Sequence, residues 1–347
     1  MAGVHVAGTG AAGVDVVRRP AIDRRRVHLT LLERGRRRRV QWCDVGALDF
    51  SDFGLVLGAG GATGAAFEAG IMLALAIDHD VEPRQAGCIV GTSAGSLGAA
   101  LVALGFEAAD VAAVVSESYE HVSPAMATHG VRFAGDVPPV PSVLSMFRPP
   151  TPARAAATFV KVLRRDFTAS VLQMMRTGTY EFGANIDFLH KAEWPAGPPM
   201  IRICAAELAT GHRVAFDESS DVPLAAAVAA SCAVPGVMRP VRVSGKLFVD
   251  GGIVSPTNAD LLAGAQGPEL VVIVSPMSGR EARTVSGLTS ARFAARRLAG
   301  ELSRFHREQR VLIIEPAATL SQLVNDDALS PVRSKQILTT AFVSASA

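Results

Sequence analysis

Short apolar runs alternate with stretches of helical periodicity along most of the chain after residue 53. Gly-Leu-Val-Leu-Gly at 54–58 has the continuous apolar character of a buried strand, and it leads through a glycine loop into an apolar-periodic helix at about 65–77. The next strand is predicted at Cys88–Gly91 and the next helix at Ser93–Ala103. Further strand patterns lie at 200–206, 212–216, 246–250, 269–275 and 311–314, and helical pattern continues to about residue 342. This alternation predicts an α/β fold of three layers, with helices covering a mostly parallel sheet.

The segment from Gln85 to Phe106 contains no charged residue over 22 positions, a length that would suit a membrane-spanning helix. Five glycines interrupt it, and a β-type run is followed by a Gly-Thr-Ser-Ala-Gly turn. We therefore predict a buried strand, a turn and a helix. The first twenty residues lack the basic region and compact apolar core of a signal peptide, so a cytoplasmic protein is expected, with peripheral membrane contact as an alternative.

Residues 121–199 differ from the rest of the chain in composition and hydrophobic pattern. Prolines cluster at 138–141 and 149–152, and large Met and Phe side chains are scattered through helical stretches. This pattern predicts a helical cap or insertion on the α/β core. Its Met and Phe residues serve either ordinary core packing or a flexible apolar cleft for acyl chains.

The net charge of +2 conceals two unlike parts of the chain. Residues 18–39 contain ten Arg against Asp23 and Glu33, a local net of 10 − 2 = +8, so the remainder sums to 2 − 8 = −6. An acidic body of this kind argues against a nucleic-acid binder. We divide the chain into a basic arm, 1–50, predicted to be disordered, and a catalytic domain, 51–347. The arm either is dispensable or contacts anionic membrane, and its deletion is expected to leave the chemistry intact.

The four cysteines lie far apart and form no CxxC pair, which is typical of isolated thiols in a reducing compartment rather than of a disulfide framework or a metal site. Arg outnumbers Lys 30 to 4, which favours a GC-rich bacterial source.

A serine occupies the centre of the first chemical motif. Gly91-Thr92-Ser93-Ala94-Gly95 fits the pattern G-x-S-x-G between a predicted strand and a predicted helix. In that context a serine lies on a sharp turn, and its hydroxyl projects at the helix N-terminus.

A glycine loop provides the second motif. The loop Gly58-Ala59-Gly60-Gly61-Ala62-Thr63-Gly64 follows one predicted strand and opens a helix, so its N–H groups can converge on an anion such as the oxyanion of acyl transfer. A dinucleotide loop would need an acidic residue at the end of the second strand. That strand ends in glycine, threonine and serine, while Asp78 and Asp80 precede it, so the nucleotide interpretation is rejected.

A carboxylate at the end of a strand provides the third motif, Val249-Asp250-Gly251-Gly252. Asp-Gly-Gly alone is most often a turn. Together with the other two motifs it supplies a base for the serine.

These motifs together resemble the bacterial patatin-like phospholipases, a family of serine acyl hydrolases. The similarity covers about residues 54–275 and extends to the closing strand and helix near 311–342. It depends on the order of five segments: Leu-Val-Leu-Gly-Ala-Gly-Gly-Ala-Thr-Gly-Ala at 55–65, Gly-Thr-Ser-Ala-Gly-Ser at 91–96, Glu-Leu-Ala-Thr-Gly at 207–211, Ala-Ser-Cys-Ala-Val-Pro-Gly at 230–236 and Val-Asp-Gly-Gly at 249–252.

The resemblance implies a role for each motif. Ser93 matches the family nucleophile and Asp250 its general base, so the two form a dyad that needs no metal or cofactor. Gly60 and Gly61 match the oxyanion hole. Six further glycines support the motifs: Gly58, Gly64, Gly91, Gly95, Gly251 and Gly252. The implied substrate is a lipid or another acyl ester, as in a phospholipase A or lysophospholipase.

Two positions depart from the family pattern. Ala59 replaces the first glycine of the usual loop, and Thr63 replaces its basic residue. Because Thr63 carries no positive charge, one alternative is a catalytically weak lipid-binding or regulatory protein. A second alternative is an α/β-hydrolase-type esterase, in which His306 would complete a triad with the serine and the aspartate; His306 lies in a charged helical stretch with no motif of its own.

Overall fold

A computed structural model describes residues 27–118, 123–131, 146–147, 167–279, 285–326 and 328–346 of the chain. The strands are β1 (Val27–Glu33), β2 (Arg36–Val40), β3 (Phe53–Leu57), β4 (Cys88–Thr92), β5 (Met200–Glu207), β6 (Arg213–Phe216), β7 (Val241–Val243), β8 (Lys246–Asp250), β9 (Leu270–Val274) and β10 (Arg310–Pro316). The helices are α1 (Trp42–Val45), α2 (Gly61–His79), α3 (Ala94–Ala103), α4 (Ala108–Val115), α5 (Pro124–His129), α6 (Phe167–Met174), α7 (Leu224–Ser231), α8 (Val285–Leu302), α9 (Ala318–Asp326) and α10 (Ser334–Ala345).

The strands form one sheet in the order β2-β1-β10-β9-β3-β4-β5-β8-β7, with β6 also paired to β5. Parallel pairing joins the five central strands, β10, β9, β3, β4 and β5. The flanking pairs are antiparallel. Short turns connect the two outermost pairs: Arg34-Gly35 joins β1 to β2 and Ser244-Gly245 joins β7 to β8, all four residues with positive φ. The predicted α/β architecture is confirmed, and parallel pairing is confined to the sheet centre.

Helices bury both faces of the central strands, which explains their continuous apolar runs. One face packs with α2, α3 and α7 into the larger core, to which Leu55, Leu57 and Val272 contribute. The other face packs beneath α8, where Val56 and Ile273 lie in a second cluster.

The N-terminal segment departs from the predicted disorder. β1 lies between β2 and β10 and pairs with β10 from Val27 to Leu32. Val27, Leu29 and Leu31 are buried, because alternate apolar positions of β1 face the core. Deleting residues 1–50 would therefore remove two strands and uncover the edge of β10. Residues 1–26 lie outside the described ranges.

The segment 85–106 forms β4 and α3, which confirms the predicted strand, turn and helix. α2 is long and apolar enough to cross a membrane by composition, but 67% of its most apolar window is buried inside the fold. Gly70 of α2 allows close packing on α10, since a Cβ there would lie 2.6 Å from the carbonyl oxygen of Leu338.

Much of the predicted cap at 121–199 lies outside the described residues. Its described parts include α5, α6 and a 3-10 helix at Phe182–Lys191.

Candidate active site

The serine turn lies where β4 ends and α3 begins. Ser93 has φ 54° and ψ −122°, a strained conformation for a residue with a side chain. Its N–H donates to Ser231 Oγ at 2.9 Å, and its carbonyl oxygen accepts from Ser96 Oγ at 2.6 Å and Cys232 Sγ at 3.2 Å. Hydrogen bonds from two helices therefore hold the turn in place.

The glycines on either side of Ser93 are required by packing. A Cβ on Gly91 would lie 2.6 Å from Ser96 Cα, and one on Gly95 would lie 2.2 Å from the carbonyl oxygen of Leu57. The pattern G-x-S-x-G thus lets α3 approach the ends of β4 and β3 directly.

Two strands meet end to end beside this turn. On β5, Cys204 pairs with Thr92 of β4 on one side and with β6 on the other. The next residue, Ala205, pairs with β6 and with Asp250 of β8. Because β6 occupies one edge of β5 at both residues, β4 and β8 share the other edge. Asp250, the last residue of β8, thus lies at the junction where Ser93 leaves β4.

Both predicted dyad residues are almost buried, each with 6% exposure. Burial raises the pKa of Asp250 to about 6, although hydrogen bonds from the Ser93 side chain and from the Gly252 N–H oppose the rise. The Gly252 N–H lies 2.7 Å from Asp250 Oδ1, and the Asp250 N–H donates to the carbonyl oxygen of Ala233 at 2.9 Å. The carboxylate is therefore held in place and its pKa lies near neutrality.

The two glycines after Asp250 allow close contacts. A Cβ on Gly251 would lie 2.3 Å from the carbonyl oxygen of Cys204. A Cβ on Gly252 would lie 3.0 Å from Asp250 Oδ1 and 3.2 Å from the Cβ of Ala59. Gly252 thus brings the glycine loop against the carboxylate.

The glycine loop opens α2. Gly60 precedes the helix and Gly61, at φ 60°, begins it, so their N–H groups receive no acceptor from the helix itself. Neighbouring N–H groups hold the loop: Gly58 donates to Val274 O at 3.1 Å and Ala59 to Pro256 O at 2.7 Å. The loop also needs a glycine at position 60, because a Cβ on Gly60 would lie 2.6 Å from the Cα of Gly64.

Thr63 occupies the position of the usual cation and is fully buried. Its hydroxyl donates to the carbonyl oxygen of Val324 at 2.9 Å and lies 3.3 Å from that of Ala328, which also accepts the Thr63 N–H at 3.2 Å. Thr63 therefore joins the glycine loop to the last turn of α9 and to Ala328 beyond it. Nothing in the local sequence indicated this long-range contact.

Sequence analysis also missed Ser231, whose hydroxyl connects the Ser93 N–H to the carbonyl oxygen of Cys204 at 2.6 Å. Its neighbour Cys232 directly follows the last residue of α7. It is buried, and its thiol also hydrogen bonds to Ser93. Burial raises the thiol pKa, which keeps Cys232 protonated. The resemblance of residues 230–236 to the family was the sequence signal that could have pointed to both residues.

His306 lies far from the dyad. It precedes β10 at the amino end of that strand, whereas Ser93 lies at the carboxyl end of β4, and the central strands are parallel. Its side chain is 51% exposed and lies 3.9 Å from Glu308. The alternative triad through His306 is therefore wrong.

A cavity of about 310 Å³ lies beside β8. Val249, the neighbour of Asp250, forms part of its wall, together with apolar side chains of Leu172, Met175 and Leu208. Arg176 adds a cation to the lining. An apolar chain with a polar end would suit this lining.

Residues 55–263 match the model of a family described as "Patatin-like phospholipase", which is more than half of the chain. The chain belongs to the patatin-like phospholipase family. The match contains all three motifs, from the glycine loop through Ser93 to Asp250. Patatin-like phospholipases are lipid hydrolases, so at family level the assignment supports lipid hydrolysis and a lipid substrate.

Among curated relatives, the uncharacterized NTE family protein Mb1092c of Mycobacterium bovis is 41% identical over 78 residues, which cover 22% of this chain and 20% of that protein. The uncharacterized NTE family protein Rv1063c of Mycobacterium tuberculosis gives the same values. The aligned segment thus spans about a fifth of these relatives.

Two solved structures share a weaker likeness. VipD from Legionella pneumophila is 14% identical at a TM-score of 0.38, covering 78% of this chain and 56% of that one. ExoU in its complex with SpcU, from the type III secretion system of Pseudomonas aeruginosa, is 18% identical at a TM-score of 0.30, covering 94% and 67%. The family assignment depends on the family model alone.

Proposed function

We propose that this patatin-like protein is a serine-dependent lipid acyl hydrolase that acts through a dyad of Ser93 and Asp250. The observation that supports it is the junction of β4 and β8 on one edge of β5, which sets a strained serine beside a buried carboxylate. The raised pKa of Asp250 suits a base that takes a proton from a serine hydroxyl near neutral pH.

The reaction has two displacements. Asp250 accepts the hydroxyl proton as Ser93 Oγ attacks the ester carbonyl, and that proton then leaves with the alcohol. Asp250 next deprotonates a water molecule, which attacks the acyl-enzyme carbonyl. The proton returns from Asp250 to Ser93 Oγ as the carboxylic acid is released. The N–H groups of Gly60 and Gly61 stabilise both oxyanions, at roughly 3 kcal/mol for each donor.

The acyl chain is proposed to occupy the cavity beside β8. Its wall includes Val249 of β8 together with Pro235 and Gly236, which closely follow Ala233, the residue whose carbonyl oxygen accepts the Asp250 N–H. This position supports a substrate with an aliphatic acyl group, such as a phospholipid, a lysophospholipid or a glyceride, and Arg176 would accept a nearby anionic group.

Strand β2 is proposed to contact anionic membrane. Arg36, Arg37, Arg38 and Arg39 are all exposed along it, at the edge of the described sheet. Clustered Arg side chains attract anionic headgroups at about 1 kcal/mol each. The alternative role of these charges, protection of an exposed strand edge, requires no lipid.

A fluorophosphonate probe and a lipid panel test the enzymatic proposal. The purified chain, Ser93→Ala and Asp250→Asn would be compared for covalent labelling and for fatty acid released from phospholipid, lysophospholipid and glyceride. We expect labelling and release from the wild type only. Equal release by all three proteins would reject the dyad, while a folded wild type without label would favour the lipid-binding alternative that Thr63 raised.

A further inference from the structure

Asn258 is a fully buried polar residue with a left-handed backbone, at φ 51° and ψ 29°. Its side-chain nitrogen donates to Thr92 Oγ1 at 3.0 Å and to the carbonyl oxygen of Ser255 at 2.7 Å. Its side-chain oxygen accepts from the Arg213 guanidinium at 3.3 Å. Thr92 directly precedes Ser93, so this amide supports β4 from the sheet face opposite the dyad.

The segment Asp250–Asp260, here called the base loop, contacts each part of the proposed machinery. It begins with the carboxylate of Asp250. Midway, the carbonyl oxygen of Pro256 accepts the Ala59 N–H at 2.7 Å and so anchors the glycine loop. Near its end, Asn258 contacts Thr92. The base loop thus carries the base itself and contacts both the glycine loop and β4, the strand that precedes Ser93.

Ionic contacts to the buried carboxylate of Asp260 fix the end of the base loop. Arg213 of β6 grips Asp260 with two hydrogen bonds of 2.5 and 3.1 Å, and Arg304 contacts the same carboxylate. Glu301 of α8 accepts the Thr257 hydroxyl at 2.6 Å. Because side chains from β6 and α8 hold the base loop in place, the amide of Asn258 contacts Thr92 from a fixed position.

We infer that Asn258 is a positioning residue for the hydrolase proposed above. The strained turn at Ser93 is restrained on one side by Ser231, and Asn258 provides the matching restraint on the other through Thr92. Without it, β4 can shift relative to the base loop, which displaces Ser93 Oγ from Asp250 and from the glycine loop. The inference rests on the proposed function.

Two kinds of variant test the contact. Thr92→Val removes the acceptor, while Thr92→Ser keeps it. Asn258→Gly removes the amide and tolerates the left-handed backbone, and Arg213 keeps its hydrogen bonds to Asp260. Thr128→Val, on the exposed helix α5, is the matched control. The readouts are kcat and KM on a soluble short-chain ester, normalised to sites labelled by fluorophosphonate, together with the pH profile.

We expect Thr92→Val and Asn258→Gly each to lower kcat per labelled site by about ten- to a hundredfold, with KM and the pH midpoint unchanged. Their double variant should lose no more than the worse single variant, and Thr92→Ser and Thr128→Val should keep wild-type kcat. A smaller labelled fraction with full kcat per site would overturn the inference, since it indicates a merely structural contact. If the wild type itself is neither labelled nor active, the proposed function is rejected and the inference falls with it.

Discussion

The hydroxyl of Thr63 lies 2.9 Å from the carbonyl oxygen of Val324, in the last turn of α9. Carbonyl groups in a last helical turn have no intrahelical partner, so this hydroxyl satisfies one of them from a buried position. The glycine loop is thereby fastened to the C-terminal part of the chain by a neutral group where the family commonly has a cation.

Thr63→Val should destabilise the fold by about 1–2 kcal/mol, because the Val324 carbonyl loses its partner. Thr63→Arg should destabilise it more, because the backbone of Val324 and Ala328 lies within hydrogen-bond distance of the Thr63 side chain and leaves no room for a longer one. Thermal unfolding of both variants checks this expectation. A Thr63→Arg protein that is as stable as the wild type and more active would contradict it.

Gly61→Ala should abolish most activity. The new Cβ would lie 2.2 Å from the carbonyl oxygen of Ala328, at a φ of 60° that disfavours a side chain. Displacing one oxyanion donor lowers kcat by about a hundredfold or more. Gly105→Ala is the matched control, since Gly105 has φ 92° and open space around it, and it should cost about 1 kcal/mol with activity retained. Equal activity loss in both variants would argue against the oxyanion role.

Activity should rise with pH through about 6, the pKa to which burial raises Asp250, because only the ionised carboxylate accepts the serine proton. Below that value, kcat/KM on a soluble ester should fall about tenfold for each pH unit. A midpoint at pH 4, or a flat profile across pH 6, would argue against this base.

The same carboxyl should destabilise the native state at neutral pH. Folding raises its pKa from 3.8 to about 6, so the native state binds the proton more tightly than the unfolded state does. Stability therefore falls as pH rises through this window, by up to about 3 kcal/mol, and the loss is complete above it.

Asp250→Asn stays neutral, so it should be more stable than the wild type at pH 8 and no more stable at pH 4. Denaturant unfolding at both values measures the difference. Asp217→Asn is an opposite control, because hydrogen bonds from Ser219 and Ser220 lower the Asp217 pKa. It should be less stable than the wild type at pH 8.

Charge reversal on β2 should weaken vesicle binding. Arg37→Glu/Arg39→Glu is expected to reduce cosedimentation with vesicles that contain phosphatidylglycerol, with little change on pure phosphatidylcholine, and added salt should reduce wild-type binding. Arg242→Glu/Arg333→Glu, exposed elsewhere, has the same charge change and serves as control. Unchanged binding by the β2 variant would leave edge protection as the role of these charges.

Local features of the chain were predictable from the sequence alone. The strand, turn and helix around Ser93 follow from apolar runs and from glycines that the packing requires. The residues next to Ser93 in the sequence are therefore enough to predict this local structure. The prediction of disorder for residues 27–40 was wrong because it gave the charge of the β2 arginines more weight than the alternating apolar positions of β1. Those positions form a buried face only when β1 pairs with β10, which lies far along the chain.

The sequence therefore determined which groups are available: a serine on a tight turn, a glycine loop and a carboxylate that ends a strand. Tertiary structure decided how they meet. β8 lies on the edge of β5 where β4 ends, which brings Asp250 to Ser93, and burial at that junction raises the carboxyl pKa. The contacts of Thr63 and Asn258 have the same origin. Hydrogen bonds and desolvation depend on neighbours in space, and strand pairing between distant segments supplies those neighbours.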